Sequence, residues 1–236
     1  MRSLIIIAMF AASLTHAAWN GYTEDRTLEL DTDGVSRLDI DAGAGALVVT
    51  GASDTDRIVV TATINVPDQD EEDALKIIEK RLRFSLNESG GEARLEAFFE
   101  NSGWSWGDSP SVDLDVRVPH GLELFVDDSS GSIEVIDAQS KVEIDDGSGS
   151  IKVAGVTSLV IDDGSGSIKV TDVAGDVEIE DGSGSIKVEK VGGGVTIDDG
   201  SGSIDVNDVE LDLVIVDDGS GSLDATNVRG DVITDG

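Results

Sequence analysis

The sequence of 236 residues has no cysteine, only 3 prolines and few aromatic residues, and its 16 basic residues face 49 acidic ones. The absence of cysteine excludes disulfides, thiolate catalysis, thiolate-bound metals and a lipid-modified N-terminal cysteine. The formal net charge of −33 opposes binding to nucleic acid or to an anionic membrane surface, because both attract positively charged partners. Hydrophobic residues still make up 39% of the chain, which is too many for a disordered acidic tail and enough to bury a core.

The first 18 residues have the composition of a secretory signal peptide. Arg2 precedes an apolar run at residues 4–12, and small residues follow as far as Ala18. This order is typical of a cleaved signal, and the apolar run is shorter than the roughly 20 residues that cross a bilayer. We therefore expect residues 1–18 to be removed and no membrane span to remain afterwards. The mature protein is expected in the periplasm of a bacterium or outside the cell.

The second half of the chain repeats with a period of about 18 residues. Its most regular block is Asp-Asp-Gly-Ser-Gly-Ser-Ile-Lys-Val at residues 145–153. Blocks of the same form start at residues 127, 145, 162, 180, 198 and 217. A Val-x-Ile unit such as residues 142–144 lies between successive blocks. Each repeat therefore holds two short alternating strands joined by a Gly-Ser turn.

One repeat cannot bury its own apolar face, so successive repeats must stack on one another. Stacking places Ile151 and its equivalents in one column, and Val153 and its equivalents in another. The predicted fold class is all-β, a β-solenoid (single-stranded β-helix) with coils of about 18 residues. A β-sandwich of hairpins is the alternative, and the near-constant period disfavours it.

The first half departs from this pattern in its middle. Residues 38–49 are a degenerate copy of the repeat with Ala in place of Ser, and the pattern resumes at Val112. Between them, the charge order and apolar spacing after Pro67 predict one short helix, and residues 84–99 predict a hairpin. This insertion is expected to cover one open end or face of the solenoid. The predicted domains are 1–18 (signal peptide), 19–126 (N-terminal part of the solenoid, with the insertion at about 67–110) and 127–236 (regular repeat).

Three features together resemble a known family. They are the early strand–turn–strand copy, the segment Val112–Leu124, and the Ser-Gly-Ser-Ile-x-Val units with Val-x-Ile between them. They are similar to a bacterial domain-of-unknown-function family labelled "putative adhesin", a group of exported β-strand-repeat proteins. The resemblance covers roughly residues 36–236 and implies a solenoid fold and an extracytoplasmic setting. Two departures are Ser before Ile, where many relatives have Asp, and the doubling of Asp before each turn.

The residue chemistry gives little support for catalysis. Once residues 1–18 are removed, His120 is the one histidine, and Pro119-His120-Gly121 is typical of a turn. Carboxylates repeat in every coil, whereas an active site is a singular group of side chains, so a carbohydrate-active enzyme is the weaker alternative. We expect a non-catalytic, adhesin-like interaction or structural scaffold of the cell envelope, with an envelope protein or a glycan as its partner.

The acidic doublets before the turns are the candidate metal ligands. If coils stack about 4.8 Å apart, each pair of neighbouring carboxylates repels by about 1 kcal/mol even in the dielectric of bulk water. Bound divalent cations would offset this repulsion, as would splayed side chains, raised pKa values or the nearby lysine column. Calcium is therefore the candidate ion, no other cofactor is expected, and a solvated acidic edge that keeps the solenoid soluble is the alternative. The candidate ligands are Asp145, Asp146, Asp162, Asp163, Asp198, Asp199, Asp217 and Asp218.

Trp104 and Trp106 lie two residues apart in a Gly/Ser-rich stretch. Such a pair could stack on a sugar ring or anchor a protein partner. The alternative, which we prefer, is that both side chains cap the solenoid core. The last coil shows no polar cap, so self-association through this C-terminal coil is a further expectation.

Overall fold

The fold is given by a computed structural model that describes residues 8–9, 21–100 and 109–234. Most of the predicted signal peptide lies outside the described residues, as do Trp104 and Trp106. The strands are β1 (Ala8–Met9), β2 (Gly21–Asp31), β3 (Arg37–Ala52), β4 (Arg57–Pro67), β5 (Leu82–Ser89), β6 (Glu92–Phe99), β7 (Ser111–Pro119), β8 (Glu123–Ile136), β9 (Lys141–Asp146), β10 (Gly149–Val156), β11 (Ser158–Asp163), β12 (Gly166–Val173), β13 (Val177–Asp181), β14 (Gly184–Val191), β15 (Val195–Asp199), β16 (Gly202–Val209), β17 (Leu213–Asp217), β18 (Ser222–Val228) and β19 (Val232–Thr234). The helix α1 (Glu71–Arg81) connects β4 to β5.

From β8 onward each coil contributes two strands, and each strand pairs in parallel with its equivalents in the coils before and after. One sheet contains the second half of β8 followed by β10, β12, β14, β16 and β18. The other contains the first half of β8 followed by β9, β11, β13, β15, β17 and β19. Equivalent residues lie opposite one another, as Ile151 does with Ile133 and Ile168. The predicted all-β parallel solenoid is confirmed.

The interior between the two sheets is apolar because the strands alternate with period two. Val142 and Ile144 face inwards from one sheet, and Ile151 and Val153 face inwards from the other, all at most 1% exposed. Full burial of one such side chain contributes roughly 1.5–3 kcal/mol. The same four positions recur in each coil, so every coil is held mainly by its neighbours.

A single bulge explains the longest spacing between repeats. Ile197 pairs with Ile215, but the next residue, Asp198, pairs with Asp217. Val216 is therefore an extra residue in β17, and it is 43% exposed. Since a bulge adds one residue to one strand, it lets a longer coil stay in register with the coil before it.

The N-terminal region extends both sheets. β3 bends around Gly43–Gly45, so that its first half pairs with β6 and the first half of β8, and its second half pairs with β7 and the second half of β8. Beyond β7 the sheet continues antiparallel through β4, β2 and β1, and beyond β6 it continues through β5. The helix and the hairpin thus lie in the N-terminal half, as expected from the sequence.

The helix α1 covers the end of the interior between β2 and β5. It contacts both strands and buries Ala74 and Ile78. Its first turn is capped by Asp70, whose carboxylate accepts a hydrogen bond of 3.0 Å from the backbone N–H of Asp73. Acidic residues in the first turn and basic residues in the last complement the helix dipole.

The last coil is much more exposed than the coils before it. Val232 is 50% exposed and Ile233 is 48% exposed, whereas Val195 and Ile197 at earlier positions of the same sheet are buried. Self-association through this coil stays a prediction, as do the domain boundaries. No helix in the described ranges is long and apolar enough to cross a membrane.

Candidate functional site: two carboxylate ladders

The two acids of each doublet point to opposite faces of their strand. Ile144 faces the interior, so Asp145 faces outwards and Asp146 faces inwards again. Asp146 is only 1% exposed, whereas Asp145 is exposed. Because the coils stack in register, this alternation produces two columns of carboxylates, which we call the outer ladder and the inner ladder.

The outer ladder runs along the solvent-facing side of one sheet. In spatial order its members are Glu96, Asp41, Asp127, Asp145, Asp162, Glu180, Asp198 and Asp217. Near its N-terminal end Asp41 forms an ion pair of 2.9 Å with Arg94. Burial, together with the charges of Asp127 and Asp162, raises the pKa of Asp145. The outer ladder is thus a continuous strip of negative charge.

A shallow depression of about 220 Å³ lies beside the middle of the outer ladder. Phe125 and Val160 supply apolar side chains to its lining. The carboxylates around it belong to Glu143, Asp145, Asp162, Glu178 and Glu180. This is where acids from two adjacent columns of the sheet lie closest to one concave surface.

The inner ladder lies inside the solenoid, at the corner where one sheet turns into the other. Its members are Asp128, Asp146, Asp163, Asp181 and Asp199, which are 0–4% exposed and pair in register. In the last four, Oδ1 accepts a hydrogen bond of 3.0–3.2 Å from the backbone N–H of the serine two residues later. The Oδ2 atom of every member is buried, and no hydrogen-bond partner for it lies within the described residues.

The pKa values of the inner ladder are raised. Burial raises the pKa of Asp128 to about 7, and the charge of Asp146 adds to the effect. Burial also raises the pKa values of Asp146 and Asp181 to about 6. Asp163 and Asp199 change in the same direction for the same main reason. In each case the backbone N–H bonds favour the ionised form but do not outweigh desolvation.

A column of glycines lies next to the inner ladder and fixes the spacing of the corner. Gly149 has a φ of +147°, and a Cβ at this position would lie 1.6 Å from the carbonyl oxygen of Gly131. Only glycine can adopt this backbone at such close contact. Asp181 Oδ2 would lie 3.2 Å from a Cβ at Gly184. The unpartnered carboxyl oxygen therefore occupies space beside the glycine column.

The candidate calcium ligands are divided between the two ladders. Asp145, Asp162, Asp198 and Asp217 belong to the outer ladder, and Asp146, Asp163 and Asp199 belong to the inner ladder. Asp218 is half-buried in the last coil. The structure therefore does not bring the two carboxylates of a doublet together on one face. Within the described ranges, no three His, Asp or Glu side chains form a group that could hold a metal ion.

The inner ladder includes residues that the sequence analysis did not select. Asp128 and Asp181 were passed over, although they occupy the same place in their repeats as Asp146. The available signal was the alternation itself, since an inward Ile144 requires an inward Asp146 two residues later. His120 follows β7 in a turn, where its backbone N–H donates a hydrogen bond of 3.1 Å to the Ala52 carbonyl.

No protein-family model matches this chain, and no curated protein shows significant similarity to it. Among solved structures, it is similar to a "putative cell adhesion protein" from Clostridium sporogenes ATCC 15579, at 10% identity over 90% of this chain and 99% of that one, with a TM-score of 0.36. It is also similar to a "putative adhesin" from Parabacteroides merdae ATCC 43184, at 12% identity over 89% of this chain and 93% of that one, with a TM-score of 0.28. These names are of the same kind as the family label that the sequence resembles, and a likeness this weak transfers no function.

Proposed function

We propose that this protein is an exported, non-catalytic scaffold of the bacterial cell envelope that binds its partner along a repeating, adhesin-like face. The outer ladder is the observation that carries this proposal, since it places acids in register on one flat sheet from Glu96 to Asp217. Such a surface makes an extended contact with many equivalent points. Catalysis instead requires a singular arrangement of groups.

The charge of the outer ladder defines the chemistry of the partner. Its carboxylates repeat about every 4.8 Å, which is within the Debye length of about 8 Å at physiological salt, so their fields add. A partner with regularly spaced positive groups relieves this repulsion and is attracted over a long range. An envelope protein with a basic segment or a glycan with amino groups has this chemistry.

Export and binding are tested separately on the full chain. Fractionation of bacteria that express the tagged protein should recover it outside the cytoplasm, and a chain lacking residues 1–18 should stay inside. Recovery of both forms in the cytoplasm would contradict the export part of the proposal.

Binding is tested by capture from envelope extracts over a series of salt concentrations. Capture should weaken as salt rises, and it should be lost in the outer-ladder variant Asp145→Asn/Asp162→Asn/Asp198→Asn. The matched control is Ser150→Ala/Ser167→Ala/Ser203→Ala, which changes exposed residues on the other sheet. If both variants capture the same material as the unaltered protein, the outer ladder is not the binding face.

A second candidate function is divalent-cation binding, for which the depression at Asp145 and Asp162 is the supporting observation. Calcium binds oxygen ligands at about 2.3–2.6 Å, so one ion fits between carboxylates of coils that are about 4.8 Å apart. Millimolar calcium should then raise the melting temperature more than sodium chloride of equal ionic strength, and Asp162→Asn should reduce the difference. A melting temperature that responds equally to both salts would exclude specific calcium binding.

A further inference from the structure

The inner ladder has a property that neither partner binding nor the outer ladder explains. Five carboxyl groups are stacked inside the solenoid, each with a buried Oδ2 that has no partner among the described residues. We propose that the inner ladder is a proton-binding site, in which protons link the carboxyl groups of neighbouring coils and stabilise the repeat region in mildly acidic surroundings. This inference does not depend on the proposed function.

The surroundings of the inner ladder supply no positive charge. The inward side chains of the facing strands β10, β12, β14 and β16 are Ile and Val. Within the described residues, Ser140 is the one buried polar residue besides the five aspartates. The charged groups that act on the ladder are all acids: Asp127, Asp145, Asp162, Asp198, Asp217 and Asp218, together with the ladder's own neighbours. No lysine or arginine is among them.

A proton resolves the two unfavourable features of this arrangement. A buried carboxylate without a partner is unfavourable, and stacked like charges make it more so. A protonated carboxyl group is neutral and also becomes an O–H donor, for which the unpartnered Oδ2 of the next coil is an acceptor. Sharing one proton between two neighbours therefore removes a charge and provides a hydrogen bond to both groups.

The direction of the pH effect follows from the raised pKa values. The folded state holds protons on Asp128 up to about pH 7 and on Asp146 and Asp181 up to about pH 6, whereas the model value for Asp is 3.8. The folded state thus binds more protons than the unfolded chain between about pH 4 and pH 7. Lowering the pH through this window favours folding, and raising the pH through it removes the stabilisation.

A pair of matched variants tests the proposal on the full chain. The inner variant is Asp146→Asn/Asp163→Asn/Asp181→Asn, and the outer variant is Asp145→Asn/Asp162→Asn/Glu180→Gln. Both remove three negative charges from the same three strands, at adjacent residues that face opposite ways. Asn imitates a protonated Asp, because its oxygen still accepts the serine N–H and its NH₂ donates to the next coil.

The melting temperature of the unaltered protein should rise as the pH falls from 8 to 5.5. The outer variant should keep this rise, and the inner variant should lose most of it and melt higher than the unaltered protein at pH 8. If a triple variant does not fold, the single changes Asp163→Asn and Asp162→Asn make the same comparison. An equal pH response in the inner and outer variants would overturn the proposal.

Infrared spectroscopy of the unaltered protein provides a readout that does not depend on stability. A carbonyl band of protonated carboxylic acid should be present near pH 6 and weaken as the pH rises to 8, and the inner variant should reduce it. Absence of the band at pH 6 would overturn the proposal. So would a rise in melting temperature at pH 8 with sodium or calcium that the inner variant abolishes, because the ladder would then hold a metal cation in place of protons.

Discussion

The corner in β3 and the equivalent corners of the repeat region have the same backbone but different chemistry. Ala42 pairs with Asp128 and occupies the same inward position, where it is 6% exposed. The chain turns from one sheet to the other at this corner without any carboxyl group in the interior. The inner ladder is therefore not required for the turn, and its acids are an addition to a corner that folds with alanine.

The N-terminal corner also shows how a carboxylate is fully satisfied. Asp113 lies beside it, where Oδ1 accepts a hydrogen bond of 2.9 Å from the Ala46 N–H and Oδ2 accepts one of 3.0 Å from the Asn65 side-chain amide. In the repeat region Asp146 has the first kind of bond but not the second. The two regions thus differ in whether a corner carboxylate has a donor for each oxygen.

The largest expected effect comes from breaking the glycine column in the repeat region. A Cβ at Gly166 would lie 1.6 Å from the Gly149 carbonyl oxygen, so Gly166→Ala should force the coils apart and cost about 3 kcal/mol or more in the free energy of unfolding. Gly34→Ala is the matched control, because Gly34 also has a positive φ but has no atom within 4 Å of the added Cβ. It should cost only about 1–2 kcal/mol in urea denaturation. Equal losses would show that backbone strain, not contact between coils, fixes these glycines.

A carboxylate placed in the N-terminal corner should reproduce the strain of the inner ladder. Ala42→Asp adds a buried acid next to Asp128, and it should destabilise the protein by about 2 kcal/mol at pH 8 because the new carboxylate lacks a full set of donors. The loss should be smaller at pH 5.5, where protons are available. Ala44→Asp, at an exposed position of the same strand, should change the stability by less than about 0.5 kcal/mol at either pH. A loss for Ala42→Asp that does not depend on pH would indicate overpacking instead of charge.

The same comparison shows what the sequence could and could not predict. The repeat period predicted the solenoid because identical side chains such as Ile151 and Ile168 can form columns only if coils stack in register. The doublets were treated as pairs of ligands because adjacent residues are close in sequence. Their separation onto opposite faces follows from strand alternation, but the unpartnered Oδ2 atoms depend on which donors surround the corner in three dimensions. No local pattern in the sequence specifies the absence of a donor.

The helix at the N-terminal end should stabilise that region alone. Asp70→Ala removes the cap of α1 and should cost about 1 kcal/mol. Amide hydrogen exchange should become faster in β2 and β5, which contact the helix, and stay unchanged in β12. Glu79→Ala, within the same helix, should have an effect below about 0.5 kcal/mol. Faster exchange throughout the repeat region would instead mean that the two regions unfold as one unit.

The smallest expected effect concerns the second corner of the repeat, where residues other than glycine adopt left-handed backbone. Lys190 has a φ of +58° and Asp172 one of +57°, while Gly155 takes the equivalent place in another coil. Lys190→Gly should therefore raise the free energy of unfolding by about 0.5–1 kcal/mol, because the strain relieved exceeds the added entropy of the unfolded chain. Lys190→Ala is the control: it removes the exposed ion pair of 3.4 Å with Asp172 but keeps the Cβ, so it should give no gain. A gain of equal size in both variants would assign the effect to the lysine side chain and not to the backbone of the corner.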